Sequence, residues 1–355
     1  MILSRLWRGL AGLALVLVVA WAAAAAWTGA LDLDHGAWAQ NQGTVPGNVH
    51  GTSNDADFWR QIRRGMPGKV SIPNPQAGVL VQSQGDNWRA IRNGPVLFYG
   101  GILLLASLAA IALFFLIRGR IRIEGGRSGR TIPRFSLTER IIHWFVACTF
   151  ILLGITGLFL LFGKHLLVPI IGKAAFGVIA NASLQCHNLF GPLFIVGIVA
   201  MFLVYLRDNG FNMVDVRWAL KGGVLNSGHT SSEKNNAGEK IWFWMAVLGG
   251  LSLSVSGLMM EFPWWPTLEL LQWANIAHVV VALGLIAVAF GHIYIGTLGV
   301  EGALEGMTKG EVDVNWGLEH HDLWAEEVLA EIEASRTKRR SDGYVPGVQQ
   351  GSPAE

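Results

Sequence analysis

Polar and apolar positions are sorted into long blocks along this chain. Five apolar runs, roughly 96–117, 137–160, 182–206, 241–262 and 275–299, each match the about 20 residues a helix needs to cross a bilayer. A further run from about Leu10 to Trp27 follows Arg5 and Arg8 and precedes "GAWAQ" at 36–40. Its A-x-A pattern predicts a secretory signal peptide over 1–39, cleaved after Ala39. Left uncut it is an anchor, and in both cases the residues that follow are exported. Residues 40–94 are polar and rich in Gly, Pro, Asn and Gln. From residue 300 the chain is polar again; "EEVLAEIEASRTKRR" predicts a short amphipathic helix, and the last fifteen residues read as disordered.

Charge fixes the direction of the spans. The loop 118–134 carries Arg118, Arg120, Arg122, Arg127, Arg130 and Arg134 against a lone Glu124, and 207–240 carries Arg207, Arg217, Lys221, Lys234 and Lys240. Both are expected in the cytoplasm. The opposite connections, 161–181 and 263–274, hold only Lys164 and Lys173 as strong bases, with Trp264, Trp265 and Trp273 as interfacial anchors. The order predicted is a signal peptide 1–39, a periplasmic segment 40–94, a first transmembrane helix 95–117, an Arg-rich cytoplasmic loop 118–134, a four-helix domain 135–300 and a cytoplasmic tail 301–355. The fold class expected is therefore all-α, an integral membrane helical bundle. A multi-pass protein of a bacterial inner membrane is expected.

Composition agrees: mean hydropathy is +0.40 and only 15% of residues are charged. No nucleic-acid partner is expected. The two cysteines, Cys148 and Cys186, lie in apolar runs and no CxxC or CxxCH is present. A disulfide scaffold, a thiolate cluster and covalently attached haem are excluded. "WRQIRRG" at 59–65 and "WRAIRNG" at 88–94 share W-R-x-I-R-x-G. Two copies are too few for a solenoid. They read as solvated basic turns or as a docking surface with Trp59 and Trp88 as anchors.

Ionisable groups inside a span are costly and usually functional. Four of the ten histidines fall inside spans: His143, His187, His278 and His292. The other six are expected to be solvent-exposed. The topology puts His187 and His278 near the periplasm and His143 and His292 near the cytoplasm, each pair on two different helices. His278 and His292 are fourteen residues apart, close to four turns, so they share a face and differ in rise by roughly 21 Å. Two haems stacked across the bilayer fit this ladder, each with two neutral imidazoles supplied from facing helices. Gly154, Gly157, Gly191, Gly197, Gly284 and Gly291 offer close approach for a flat macrocycle. A proton relay would call for intramembrane carboxylates, and only Glu139 and Glu261 sit at span edges.

"ERIIHW" at 139–144, "LQCHNLFGP" at 184–192, "KNNAGEKIWFW" at 234–244, "IAHVVVALGLIAVAFGHIY" at 276–294 and "EHHDLW" at 319–324 together resemble the gamma subunit of respiratory formate dehydrogenase, the di-haem cytochrome b556 subunit. The resemblance covers about 135–325. It implies a four-helix di-haem cytochrome b core, with 95–117 as one additional N-terminal helix. It implies two haem b groups, the outer on His187 and His278 and the inner on His143 and His292, the pairing that depth gives. It also implies reduction of menaquinone or ubiquinone near the inner haem at Asn236 and Gly238. The partners implied are an iron–sulfur beta subunit and a molybdenum- or tungsten-containing catalytic alpha subunit that oxidises formate. From the residues alone, "NNAG" also reads as a helix N-cap. "EHHDLW" reads as a partner contact before a metal site. A cytochrome b of a hydrogenase or other molybdenum oxidoreductase, and a haem-free anchor or transporter, stay open.

Overall fold

A computed structural model describes residues 85–223 and 230–341. The signal peptide with His35, most of the exported segment with His50 and Trp59, the stretch 224–229 with His229, and the final residues lie outside the described residues. The rest is mostly helical. In chain order the elements are α1 (Gly85–Ile91), a π-helical turn (Arg92–Val96), α2 (Leu97–Arg118), β1 (Thr131–Pro133), α3 (Leu137–Leu166), α4 (Val168–Tyr205), α5 (Met213–Leu220), α6 (Ala237–Glu261), α7 (Leu268–Tyr294), a second π-helical turn (Ile295–Gly299), α8 (Ala303–Lys309), β2 (Glu311–Asp313), α9 (Val314–His320) and α10 (Asp322–Ser341).

Five helical stretches are long and apolar enough to cross a membrane, at the five runs read from the sequence. They are longer than those runs. The connection expected over 161–181 is mostly helix: α3 continues to Leu166 and α4 begins at Val168, broken at Gly172, where φ is +79°. Hydropathy measures the length in hydrocarbon, whereas backbone hydrogen bonding continues a helix into the interface. The protein is thus a multi-pass membrane helical bundle.

The chain forms two compact units. The first contains the described residues up to Ala112, with Ile142–Phe202 and Met245–Gly291. Its interior is built from Leu152 and Cys186 with Phe190, and from Val146, Phe194 and Ile198 with Phe150, Leu153 and Met201. Helices approach closely at α6: a Cβ on Gly249 would stand 2.7 Å from Leu285, and one on Gly250 2.7 Å from Ile198. In lipid, such small residues let van der Waals packing do what the hydrophobic effect does in water.

The second unit contains Leu113–Ile141, Leu203–Trp244 and the chain from His292. Here β1 pairs antiparallel with β2, Ile132 opposite Val312. Ile123, Ile132, Val312, Val314, Trp316, Trp324 and Ala325 form its core, against which Val328, Leu329 and Ile332 of α10 pack. The amphipathic helix read near the C-terminus is therefore a structural face of this unit. Asp313 caps α9 through Asn315 N–H at 2.9 Å and accepts from Ser128 and Gly129. Burial pushes its carboxyl up, but these hydrogen bonds outweigh that and hold it below the usual range.

Candidate functional site

His187 on α4 and His278 on α7 belong to the first unit, and their ring centroids stand 6.1 Å apart. Each ring is held the same way. Thr156 Oγ1 on α3 lies 2.9 Å from His187 Nδ1, and Ser256 Oγ on α6 lies 2.9 Å from His278 Nδ1. Both hydroxyls already donate to their own helix, Thr156 to the Leu152 carbonyl at 2.9 Å and Ser256 to the Ser252 carbonyl at 2.7 Å. Each hydroxyl oxygen therefore accepts from an Nδ1–H. That sets both rings to the neutral tautomer with a bare lone pair on Nε2.

The residue after each hydroxyl is a glycine. A Cβ on Gly157 would stand 3.4 Å from His187 Cε1, and one on Gly257 3.5 Å from His278 Cε1. The four helices α3, α4, α6 and α7 thus each supply one part of a symmetrical cradle. Thr156, Ser256 and Gly257 were not read as site residues. A hydroxyl followed by glycine occurs in "ITG" at 155–157 and in "VSG" at 255–257, and that repeat was the available signal.

The donor set fits haem iron. Two imidazoles bound through Nε2 at about 2 Å each, with each ring centre about 1 Å further, give centroids roughly 6 Å apart. Among the described residues no group of three or more His, Cys, Asp or Glu could hold a bare metal ion. A pair of neutral nitrogens suits a metal whose other ligands come with it.

His143 lies on α3 in the first unit, its ring 5.2 Å from Trp144 and edge-on. His292 lies on α7 in the second unit, stacked on Trp242 with centroids 5.0 Å apart. Also in the second unit, Asn236 begins α6 through a reciprocal cap. Its Oδ1 accepts from Glu239 N–H at 3.0 Å, and its own N–H donates to Glu239 Oε2 at 3.0 Å. The N-cap reading of "NNAG" is realised. At Gly238 a Cβ would come within 3.3 Å of the Trp218 ring.

Two expectations are corrected. His320 and His321 were expected in solvent, with "EHHDLW" as a partner contact. His320 is half-buried and stacks on Trp316, while His321 is 1% exposed and holds the second unit together from within. Arg134 donates to His321 Nε2 at 3.0 Å, and His321 Nδ1 lies 2.8 Å from the Glu233 carbonyl. An arginine has only donors, so His321 is neutral with its proton on Nδ1. Burial first, and the Arg134 charge next, push it down to about 3. Arg134 also pairs with Glu239 at 3.0 Å and lies 4.8 Å from the centre of the Phe135 ring and 4.9 Å from that of Trp316. Lys234 pairs with Glu139 at 2.9 Å, and the buried Lys240 with Asp215 at 2.8 Å. Sequence distance hid these contacts: Arg134 and His321 are 187 residues apart. The docking role considered for Trp88 is also corrected. It is half-buried, its indole N–H donating to Asn275 within the first unit at 3.2 Å.

Residues 134–310 match the family model described as prokaryotic cytochrome b561. The chain is 31% identical over 204 residues to the formate dehydrogenase cytochrome b556(fdo) subunit of Escherichia coli (strain K12), covering 93% of that protein and 56% of this one. The chain belongs to the prokaryotic cytochrome b561 family. It is also 26% identical over 221 residues to the nitrate-inducible formate dehydrogenase cytochrome b556(Fdn) subunit of the same strain, covering 97% of that protein and 60% of this chain. To the formate dehydrogenase cytochrome b556 subunit of Haemophilus influenzae it is 30% identical over 234 residues, covering 93% of that protein and 62% of this chain. Membership makes this a haem b electron-transport protein, and the cradle of His187 and His278 lies inside the matched residues.

Proposed function

We propose that this chain is the cytochrome b membrane subunit of a respiratory formate dehydrogenase. It passes electrons from a periplasmic iron–sulfur subunit to quinone near the cytoplasmic face. The observation that carries the reading is the His187–His278 pair, two neutral rings 6.1 Å apart with both Nδ1 atoms committed to hydroxyls. The similarity to three formate dehydrogenase cytochrome subunits supplies the complex.

Bound haem b would supply a one-electron carrier inside the bilayer. His187 and His278 would hold the outer group, with Thr156 and Ser256 orienting the rings. His143 and His292 would hold the inner one. Asn236 and Gly238 would line the quinone site at the start of α6. The N-terminal segment is periplasmic and the tail from 301 cytoplasmic, in keeping with the arginines of 118–134. The four-helix domain spans 135–300 and the helix of 95–117 is additional to it. The catalytic partner oxidises formate, and this chain does not. Each charge moved across the membrane stores about 2.3 kcal/mol per 100 mV, so reducing quinone with cytoplasmic protons conserves energy.

Purification of the native complex tests the reading. A formate-oxidising subunit and an iron–sulfur subunit should co-purify, and formate should reduce a b-type α-band. His278→Ala should remove one haem and leave the other bound. A hydrogenase subunit in their place, or an oxidised-minus-reduced spectrum without a b band, refutes the assignment.

A further inference from the structure

A half-buried arginine, Arg92, lies just ahead of the first apolar run, in the helical stretch Gly85–Arg118. The chain from Gly85 to Arg118 is one long helical stretch, polar as far as Pro95 and apolar beyond it, and it carries a π-helical turn that starts at Arg92 and contains Pro95. Along its first four turns the half-buried or buried positions are Gly85, Trp88, Arg92, Val96, Leu97 and Gly100, one stripe of a helix. This stripe runs along α7 and is fixed at two points. Trp88 donates to Asn275 at 3.2 Å, and Gly100 packs on the side chain of Leu283. Arg92 lies a third of the way from Trp88 to Gly100. A third of the way from Asn275 to Leu283 is His278. The arginine therefore stands at the height of the His187–His278 pair, on the stripe that faces α7.

Among the described residues Arg92 has no carboxylate partner; its guanidinium donates to the neighbouring Asn93 side chain at 3.0 Å. A half-buried guanidinium is costly unless it meets an anion. Proline inside the helix removes a backbone donor, and the wider turn it accompanies is a frequent mark of a functional position. Haem b brings two carboxylates into an otherwise apolar pocket. The geometry points to Arg92 as the cation that pairs with a carboxylate of the outer haem, with the Trp88–Asn275 bond fixing its height. The stretch 85–118 is then a fifth wall of the outer haem pocket, contributed from outside the family-matched residues 134–310. Arg92 acts here as a binding and positioning residue.

This inference rests on the assignment of His187 and His278 as haem ligands, and the experiment separates the two. The complex is purified with wild-type chain, His278→Ala, Arg92→Gln and Arg92→Lys, and both haems are titrated by redox potential between pH 6 and 9. Adding an electron beside an uncompensated carboxylate is less favourable. Arg92→Gln should shift one haem to a lower midpoint potential and make that potential steeper in pH, because the orphaned carboxylate now takes up a proton on reduction. The haem that shifts should be the one missing in His278→Ala, and Arg92→Lys should stay close to wild type. If His278→Ala retains both haems, the ligand assignment falls and this inference with it. If His278→Ala loses one haem while Arg92→Gln leaves both potentials and their pH slopes unchanged, the inference alone falls. Equal shifts in the Gln and Lys variants would mean packing rather than charge, and would also overturn it. Glutamine keeps most of the side chain's reach and its polarity while removing only the charge, so the Gln variant is expected to assemble.

Discussion

Thr156→Val tests the cradle most directly. Valine matches threonine closely in shape, so packing is conserved and only the hydroxyl is lost. Thr156 is 1% exposed, and its Oγ1 accepts from His187 Nδ1–H at 2.9 Å. The variant leaves a buried N–H without a partner, at a cost of about 1–3 kcal/mol. Held entirely in the haem-bound state, that is roughly 5- to 150-fold in affinity, in the range of 10- to 100-fold seen for groups that orient a metal-bound histidine. The ring is also freed to adopt the other tautomer, which removes the lone pair from Nε2. Haem occupancy and titration of each b-type band in purified Thr156→Val protein provide the assay. The outer haem should be lost or weakened selectively, and Ser256→Ala should do the same through His278. The two losses should not add, because both rings would serve one iron. Full occupancy of both haems in both variants, with unchanged spectra, would refute the account of the cradle.

Two further outcomes concern the second unit. Lys240→Met takes from the buried Asp215 carboxylate its only cation among the described residues, leaving it the Asn212 N–H, and unpairs Glu233, at a cost of about 3–5 kcal/mol for a broken buried pair. Limited proteolysis over 203–244 should accelerate, and adding Asp215→Asn should restore most of the resistance. A single variant as resistant as wild type would contradict the pairing. His321 is held down to about 3 from an unfolded value near 6.5. The folded state therefore binds fewer protons, and stability from this group is complete above about pH 6.5 and lost as pH falls toward 3. The loss is about 2 kcal/mol by pH 5 and about 4 kcal/mol near pH 3. Denaturant unfolding followed by Trp316 and Trp324 fluorescence should show this slope in wild type and a shallower one in His321→Asn. Identical slopes would rule out a buried neutral His321.

The membrane-spanning frame was written plainly in the sequence. A helix in hydrocarbon must satisfy its own backbone, so span number and approximate position follow from runs of apolar residues alone. Histidines stand out against such a background for the same reason, and span direction alone predicts one depth for His187 and His278. The helix cap at Asn236 was also legible, because its partner is only three residues away. Interactions that close over long separations were not. Nothing local marks His321 as buried or Arg134 as its donor, since "EHHDLW" reads as a polar tail until β1, β2 and α9 fold together.

By itself, then, the sequence determined a five-span helical protein with histidines at two depths. Only the tertiary structure decided that Thr156 and Ser256 fix the tautomers of His187 and His278, that Trp88 is tied to Asn275, and that His321 of the tail is internal. Span formation is set by the transfer of local segments into lipid, which composition reports. Tautomers, ion pairs and burial depend on which distant side chain arrives within about 3 Å, and only packing brings it there.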